Sequence, residues 1–145
     1  MSRILVPLLI ASLAVAASSS GLFSILPLVV AQLTAFANGI LSMAFTVPAG
    51  LSSCVAAEVS QLFAAVTAMA NNIIAQISTL SLSGIPAFLN SEIASVNAAI
   101  SGVVNTTNCV MTVAEQGIIA PILAMVQGYV TFLMGIVSMI TSFLG

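Results

Sequence analysis

VAAEVSQLFAAVTAMANNIIAQISTL, residues 55–80, decides the fold. Its apolar side chains fall at Val55, Val59, Leu62, Val66, Met69, Ile73 and Leu80. Gln76 is the one polar member of the series, with Ile77 beside it. Steps of four and three keep side chains on one stripe of an α-helix, whereas a strand would alternate with period two. Working outward, the same spacing recurs in three more stretches. The first runs Leu22, Leu26, Val29, Leu33, Phe36, Ile40, Met43, Val47; the third runs Leu89, Ile93, Val96, Ile100, Val103. The fourth runs Ile118, Ile122, Met125, Tyr129, Phe132, Ile136, Met139, Phe143. The pattern predicts an all-α chain with helices near 23–46, 53–82, 87–104 and 109–143, folded as an up-and-down four-helix bundle.

The breaks agree with that division. Val47-Pro48-Ala49-Gly50 parts the first two helices, and Ser83-Gly84-Ile85-Pro86 the next two, with Pro86 suited to a first helical turn. Asn105-Thr106-Thr107-Asn108 parts the last two and offers several capping side chains. Pro27 and Pro121 lie inside apolar stretches. Pro27 is expected in a first turn, and Pro121 is expected to kink or restart the last helix.

The faces opposite these stripes carry almost no charge. On the third helix they hold Ser91, Ser95, Asn97, Ala98, Ser101 and Gly102, where a soluble bundle would show Lys and Glu. The last helix has a second apolar stripe, Ile119, Leu123, Val126, Val130, Leu133, Val137, Ile140 and Leu144. That leaves a narrow strip of Ala124, Gln127, Thr131, Gly135, Ser138 and Ser142. Gly128 and Gly135, seven apart, mark the expected helix contact strip, because small residues admit a neighbouring backbone.

Across all 145 residues there is one basic side chain, three acidic ones and no histidine. Charged residues are 3% of the chain, against roughly 25% in ordinary soluble domains. Nucleic acid is excluded as a partner, since nothing neutralises its phosphates. Without His or Asp the usual metal sites and the Ser-His-Asp machinery lack their parts. Disorder is excluded by the 61% apolar content.

Met1-Ser2-Arg3, the apolar run Ile4–Leu13 and the small-residue site Ala14-Val15-Ala16 form a signal-peptide pattern, followed by Ser18-Ser19-Ser20-Gly21. The reading is a cleaved signal over 1–17 and a single helical domain over 18–145; the alternative is an uncleaved first membrane helix. Cleavage would remove Arg3, leaving Glu58, Glu92 and Glu115 as the only charged side chains. These are the expected pH-responsive charges: with no cation to pair with them, they oppose association until acid removes them.

Cys54 and Cys109 each stand at the start of a helix, and in an up-and-down bundle the second and fourth helices start at the same end. An intramolecular disulfide is expected in an oxidising compartment, with two buried thiols as the alternative. Asn105-Thr106-Thr107 is an N-glycosylation sequon in the last loop. No cofactor, metal or catalytic constellation emerges, so the chain does not read as an enzyme. Glu58 and Glu115 each follow a cysteine closely and could approach as a carboxylate pair; the plainer expectation is that each marks a solvated helix face near an N-terminus. Seven Met and seven Phe could line a pocket, or simply form core.

Three functions fit these features. The leading one is a secreted structural or surface-active protein that self-associates through neutral apolar faces into a coat, film or fibre. Its composition is similar to helical domains of silk-type secretions, without a shared motif. Its expected partners are further copies of itself and a lipid or other apolar surface. The second is a multi-pass membrane protein, supported by the uncharged span 117–144 but opposed by missing Lys and Arg flanks, missing Trp, and a third helix that reads as too short and polar. The third is a secreted carrier of a lipid or apolar small molecule.

Overall fold

The structure is a computed structural model, and it describes residues 22–105 and 109–144. The expected signal peptide, Arg3 and the threonines of the sequon lie outside the described residues. Among those described the chain is helical and contains no strand. Helix α1 is Leu22–Leu41, α2 is Ser53–Gln76, α3 is Ile85–Val104 and α4 is Val113–Leu144. Two short 3-10 turns, Ile77–Thr79 and Leu82–Gly84, link α2 to α3.

Each helix packs on the next in sequence. Rings join the first to the last: Phe36 stacks on Phe132 at 4.6 Å between centroids and meets Tyr129 edge-on at 5.7 Å. Such pairs contribute about 0.5–1.5 kcal/mol beyond the area they bury. The core follows the apolar periods. Val55, Val59, Leu62, Val66, Met69 and Ile73 of α2 are buried, as are Leu89, Ile93, Val96, Ile100 and Val103 of α3. On α4 the two stripes are unequal. Ile119, Val126, Val130, Leu133 and Ile140 of the second stripe are buried, whereas of the first only Phe132 and Ile136 are, and Ile118, Ile122, Met125, Tyr129, Met139 and Phe143 are half-buried. The stripe read as secondary is the one that faces the core most fully, and the other flanks it.

The helix ends depart from the sequence reading in informative ways. The first helix stops at Leu41 rather than near residue 46. Its last turn tightens as Met43 N–H donates to Ile40 O, and the Ser42 hydroxyl donates to Gly39 O at 2.8 Å. Pro48 then disfavours helical backbone at Val47. Met43 and Val47 continue the apolar period yet are exposed. The second helix gives way at Ile77 to a 3-10 turn, where the Thr79 hydroxyl donates to Gln76 O at 2.7 Å. Helix α4 begins at Val113, four residues later than expected, with Thr112 capping it. Pro86 lies in the first turn of α3. Pro27 lies inside α1, more than a turn beyond Leu22, and α4 continues unbroken through Pro121 instead of restarting there.

Candidate functional site

The chemistry of this chain concentrates where α2 and α4 begin. Cys54, in the first turn of α2, and Cys109, just before α4, are joined as a disulfide with Cα atoms 5.8 Å apart. Such a separation is ordinary for a disulfide. A bridge closing a loop of this length stabilises by about 4 kcal/mol in the chain-entropy description.

Beside it sits Glu115, which is 5% exposed. Its carboxylate is fully engaged. Oε1 accepts from Thr112 N–H at 3.1 Å, and Thr112 Oγ1 accepts in return from Glu115 N–H at 3.1 Å. That reciprocal pair is a capping box, which satisfies two helix-start donors at once. Oε2 reaches across to α2 and accepts from Ser52 N–H at 2.9 Å. Ser52 in turn caps α2, its hydroxyl oxygen accepting from Val55 N–H at 3.4 Å. The position where α2 would need a Glu to complete its own capping box holds Val55. Glu115 supplies that missing acceptor from the other helix. The hydrogen bond from the Ser52 backbone, then that from Thr112, hold its carboxyl below the usual 4.5, against the upward pull of burial.

One expectation about the glutamates is therefore corrected. Glu115 does not mark a solvated helix face: it is 5% exposed. Glu92 is buried too, because it shares a helical face with Leu89 and Val96. Glu58 is half-buried, with Oε2 at 3.1 Å from where a Cβ on Gly102 would stand, so glycine at 102 leaves room for that carboxylate. The hydrogen bonds of the Glu115 carboxylate go to backbone amides at two helix starts.

Around this joint lie the largest exposures of bulky apolar side chains among the described residues. Val110 is 93% exposed, Val113 83% and Val104 55%. Beside them an open groove of about 430 Å³ runs between α3 and α4, lined by Val103, Met111, Ile119 and Leu123 among others. A second open groove, about 330 Å³, lies under residues 43–48 and is walled by Phe45, Phe63, Ile122 and Met125. Of the seven Met and seven Phe, Met43, Met111, Met125, Phe45 and Phe63 line these grooves. Both grooves are open to solvent rather than enclosed. Asn105 is exposed at the C-terminal cap of α3, beside the same tip.

The contact strip on α4 faces outward. Ala124, Gln127, Thr131, Ser138 and Ser142 are exposed, as is Gly128, where an added Cβ would meet nothing within 4 Å; Gly135 is half-buried. The outer face of α3 is likewise exposed at Ser91, Ser95, Asn97, Ala98, Ser101 and Gly102. Among the described residues no group of three or more His, Cys, Asp or Glu side chains is placed to hold a metal ion.

The capping box at Thr112 and Glu115 escaped the sequence reading, although T-x-x-E ahead of an apolar run is its signature. The partnership with Ser52, 63 residues away, carries no local signal. Comparison with protein-family models, with curated proteins and with solved structures yields no match.

Proposed function

We propose that this is a secreted structural protein, an up-and-down four-helix bundle released by signal cleavage, which self-associates through its neutral side faces into a film or coat. One observation carries the reading. Most large apolar side chains are buried or half-buried, and the outward faces carry chiefly Ala, Ser, Thr, Gly, Asn and Gln, with Leu28, Ile74 and Met134 among the exposed apolar exceptions and no exposed Lys or Arg among the described residues. Several outward hydroxyls are spent on their own helix. Thr131 donates to Gln127 O at 2.9 Å, Thr141 to Val137 O at 2.8 Å and Ser95 to Ser91 O at 3.3 Å. The faces are thus small, uncharged and partly relieved of their need for water. Neutrality removes the repulsion that keeps ordinary monomers apart. Small side chains let a second helix approach closely, and exposed amides such as Asn97 and Gln127 can bond across the contact.

The membrane reading has one observation in its favour. Residues 53–79, 82–104 and 113–144 are long and apolar enough to span a bilayer, which corrects the expectation that the third helix is too short and polar. Against it stands the direction in which the hydropathy points. The Leu, Ile, Val and Phe side chains that raise it are mostly buried within the molecule, and lipid would instead meet Asn71, Asn72, Asn90, Asn97 and Gln127. Exposing such amides to hydrocarbon costs several kcal/mol each, about 4–8 on a cyclohexane scale. The carrier reading would need an enclosed cavity, and both grooves described above are open.

Secretory expression with N-terminal sequencing and fractionation tests the proposal. The expected product is soluble protein in the medium, beginning after the small-residue site, that builds surface pressure at an air–water boundary and sediments as assemblies. Retention in membranes through alkaline washing would establish the membrane reading instead. A monomer that extracts with bound lipid and forms no film would establish the carrier.

A further inference from the structure

Two of the described methionines are exposed: Met43, 47% accessible, just past the end of α1, and Met134, 53% accessible, on α4. They differ in one respect. The Tyr129 hydroxyl on α4 donates to Met43 Sδ at 3.1 Å, across 86 residues of sequence. Met134 has no such donor among the described residues. We propose that Met43 is a site of selective oxidation by small hydroperoxides, with the Tyr129 hydroxyl as the hydrogen-bond donor that speeds oxygen transfer to its sulfur.

The chemistry follows from what each group can donate and accept. A thioether sulfur is a weak hydrogen-bond acceptor. It carries two lone pairs; the bond to Tyr129 engages one and leaves the other for the oxidant. That lone pair attacks the terminal oxygen of the hydroperoxide and forms the S–O bond. The O–O bond breaks, and its electron pair leaves with the other oxygen, which takes up the peroxide's own proton as water or an alcohol. Sulfur is oxidised by two electrons, the peroxide is reduced by two, and Tyr129 keeps its proton. The product is a polar sulfoxide, so negative charge builds on the oxygen as it joins the sulfur. A donor already beside the sulfur therefore bonds more strongly in the transition state than before it, which is the condition for a faster reaction. The unbranched, rotatable Met43 side chain lets the new oxygen turn toward that hydroxyl.

The surroundings keep the donor in place. Burial pushes the Tyr129 hydroxyl above its usual 10.0, so it stays protonated at neutral pH. Its ring meets Phe36 edge-on at 5.7 Å, which holds the phenol against the last turns of α1. The other described methionines are shielded: Met69 is buried, and Met111, Met125 and Met139 are half-buried. Oxidation at Met43 would turn one wall of the groove under residues 43–48 polar without entering the core.

Exposure alone ranks Met134 first, whereas the proposal ranks Met43 first, so one measurement separates them. The secreted protein is treated with dilute hydrogen peroxide, and the sulfoxide at each methionine is followed by peptide mass spectrometry. Met43 is expected to oxidise about two- to tenfold faster than Met134, the factor that one hydrogen bond supplies. Tyr129→Phe keeps the ring and removes the hydroxyl; Met43 should then fall to the Met134 rate, with Met134 unchanged. In denaturing urea the two parent rates should converge. A Met43 rate equal to or below that of Met134 in the folded parent overturns the proposal. So does an advantage that persists in Tyr129→Phe, or one that persists in urea. If Tyr129→Phe lacks parent-like circular dichroism, the folded and unfolded parent decide the question without it.

Discussion

The Glu115 carboxylate accepts the Ser52 backbone N–H at 2.9 Å across 63 residues of sequence, so one side chain caps its own helix and completes the cap of another. Both helix starts present unpaired donors and positive dipole ends, and a single anion between them serves both. With the disulfide a few residues away, this joint fastens α2 to α4 by one covalent and one charge-assisted link.

Removing the shared acceptor should loosen both helix starts. Glu115→Ala is expected to lower the thermal midpoint more than Glu115→Gln, which keeps one acceptor oxygen. Thr112→Val deletes only the α4 cap and should cost about 1 kcal/mol. Thermal unfolding followed by circular dichroism ranks the three. A Glu115→Ala midpoint no lower than that of Thr112→Val would show that the Ser52 link contributes nothing.

The same carboxylate gives stability a pH dependence of known sign. Hydrogen bonds from Ser52 and Thr112 depress the folded pKa of Glu115 below 4.5. The folded state therefore binds its proton less readily than the unfolded chain does. The stabilisation is present in full above 4.5 and is lost as pH falls through the depressed folded value. Denaturant midpoints of the parent should fall across that acid range. Those of Glu115→Gln should change less, and identical slopes would contradict the assignment.

Cys54→Ser with Cys109→Ser should lower unfolding free energy by about 4 kcal/mol or somewhat less, because native geometry retains the Glu115 link. Urea titration with and without reductant measures it. Non-reducing peptide mapping of the parent should yield the 54–109 pair within one chain; a disulfide-linked dimer would count against this pairing.

Gly50 has φ +91°, and a Cβ there would stand 3.2 Å from Ile118 Cδ1. Gly50→Ala should destabilise by about 1–2 kcal/mol from backbone conformation alone, with the crowding of Ile118 added. Gly102→Ala is the informative comparison, since its cost depends on how far the Glu58 carboxylate can yield.

Gly128→Leu projects into open space, so helix content and melting should stay close to the parent. Assembly should weaken if the strip is a contact face, and Gly135→Leu, at a half-buried position, should weaken assembly with some loss of stability. Sedimentation and surface pressure report assembly while circular dichroism reports folding. Parent-like assembly by both variants would exclude the strip.

The helices and their buried faces were legible because periodicity is local. Val55 to Ile73 and Leu89 to Val103 lie inside, as their spacing requires. The cysteine pairing followed from helix direction combined with where Cys54 and Cys109 stand. The helix ends were less legible: Met43 and Val47 continue an apolar rhythm that the backbone abandons at Leu41. Glu92, read from the sequence only as a charge, is buried because it shares a helical face with Leu89 and Val96.

What residue order determined by itself is therefore what depends on neighbours a turn away, namely helix, stripe, break and the lack of charge. The tertiary structure alone decided which of the two α4 stripes faces the core more fully, because both satisfy the same period. It alone decided that Glu115 is buried, since the amide that joins Thr112 in repaying its desolvation belongs to Ser52 on another helix. It alone brought Cys54 and Cys109 to a Cα separation of 5.8 Å. A hydrogen bond or an exposed patch formed between distant segments has no period to read, and exists only once packing has brought those segments together.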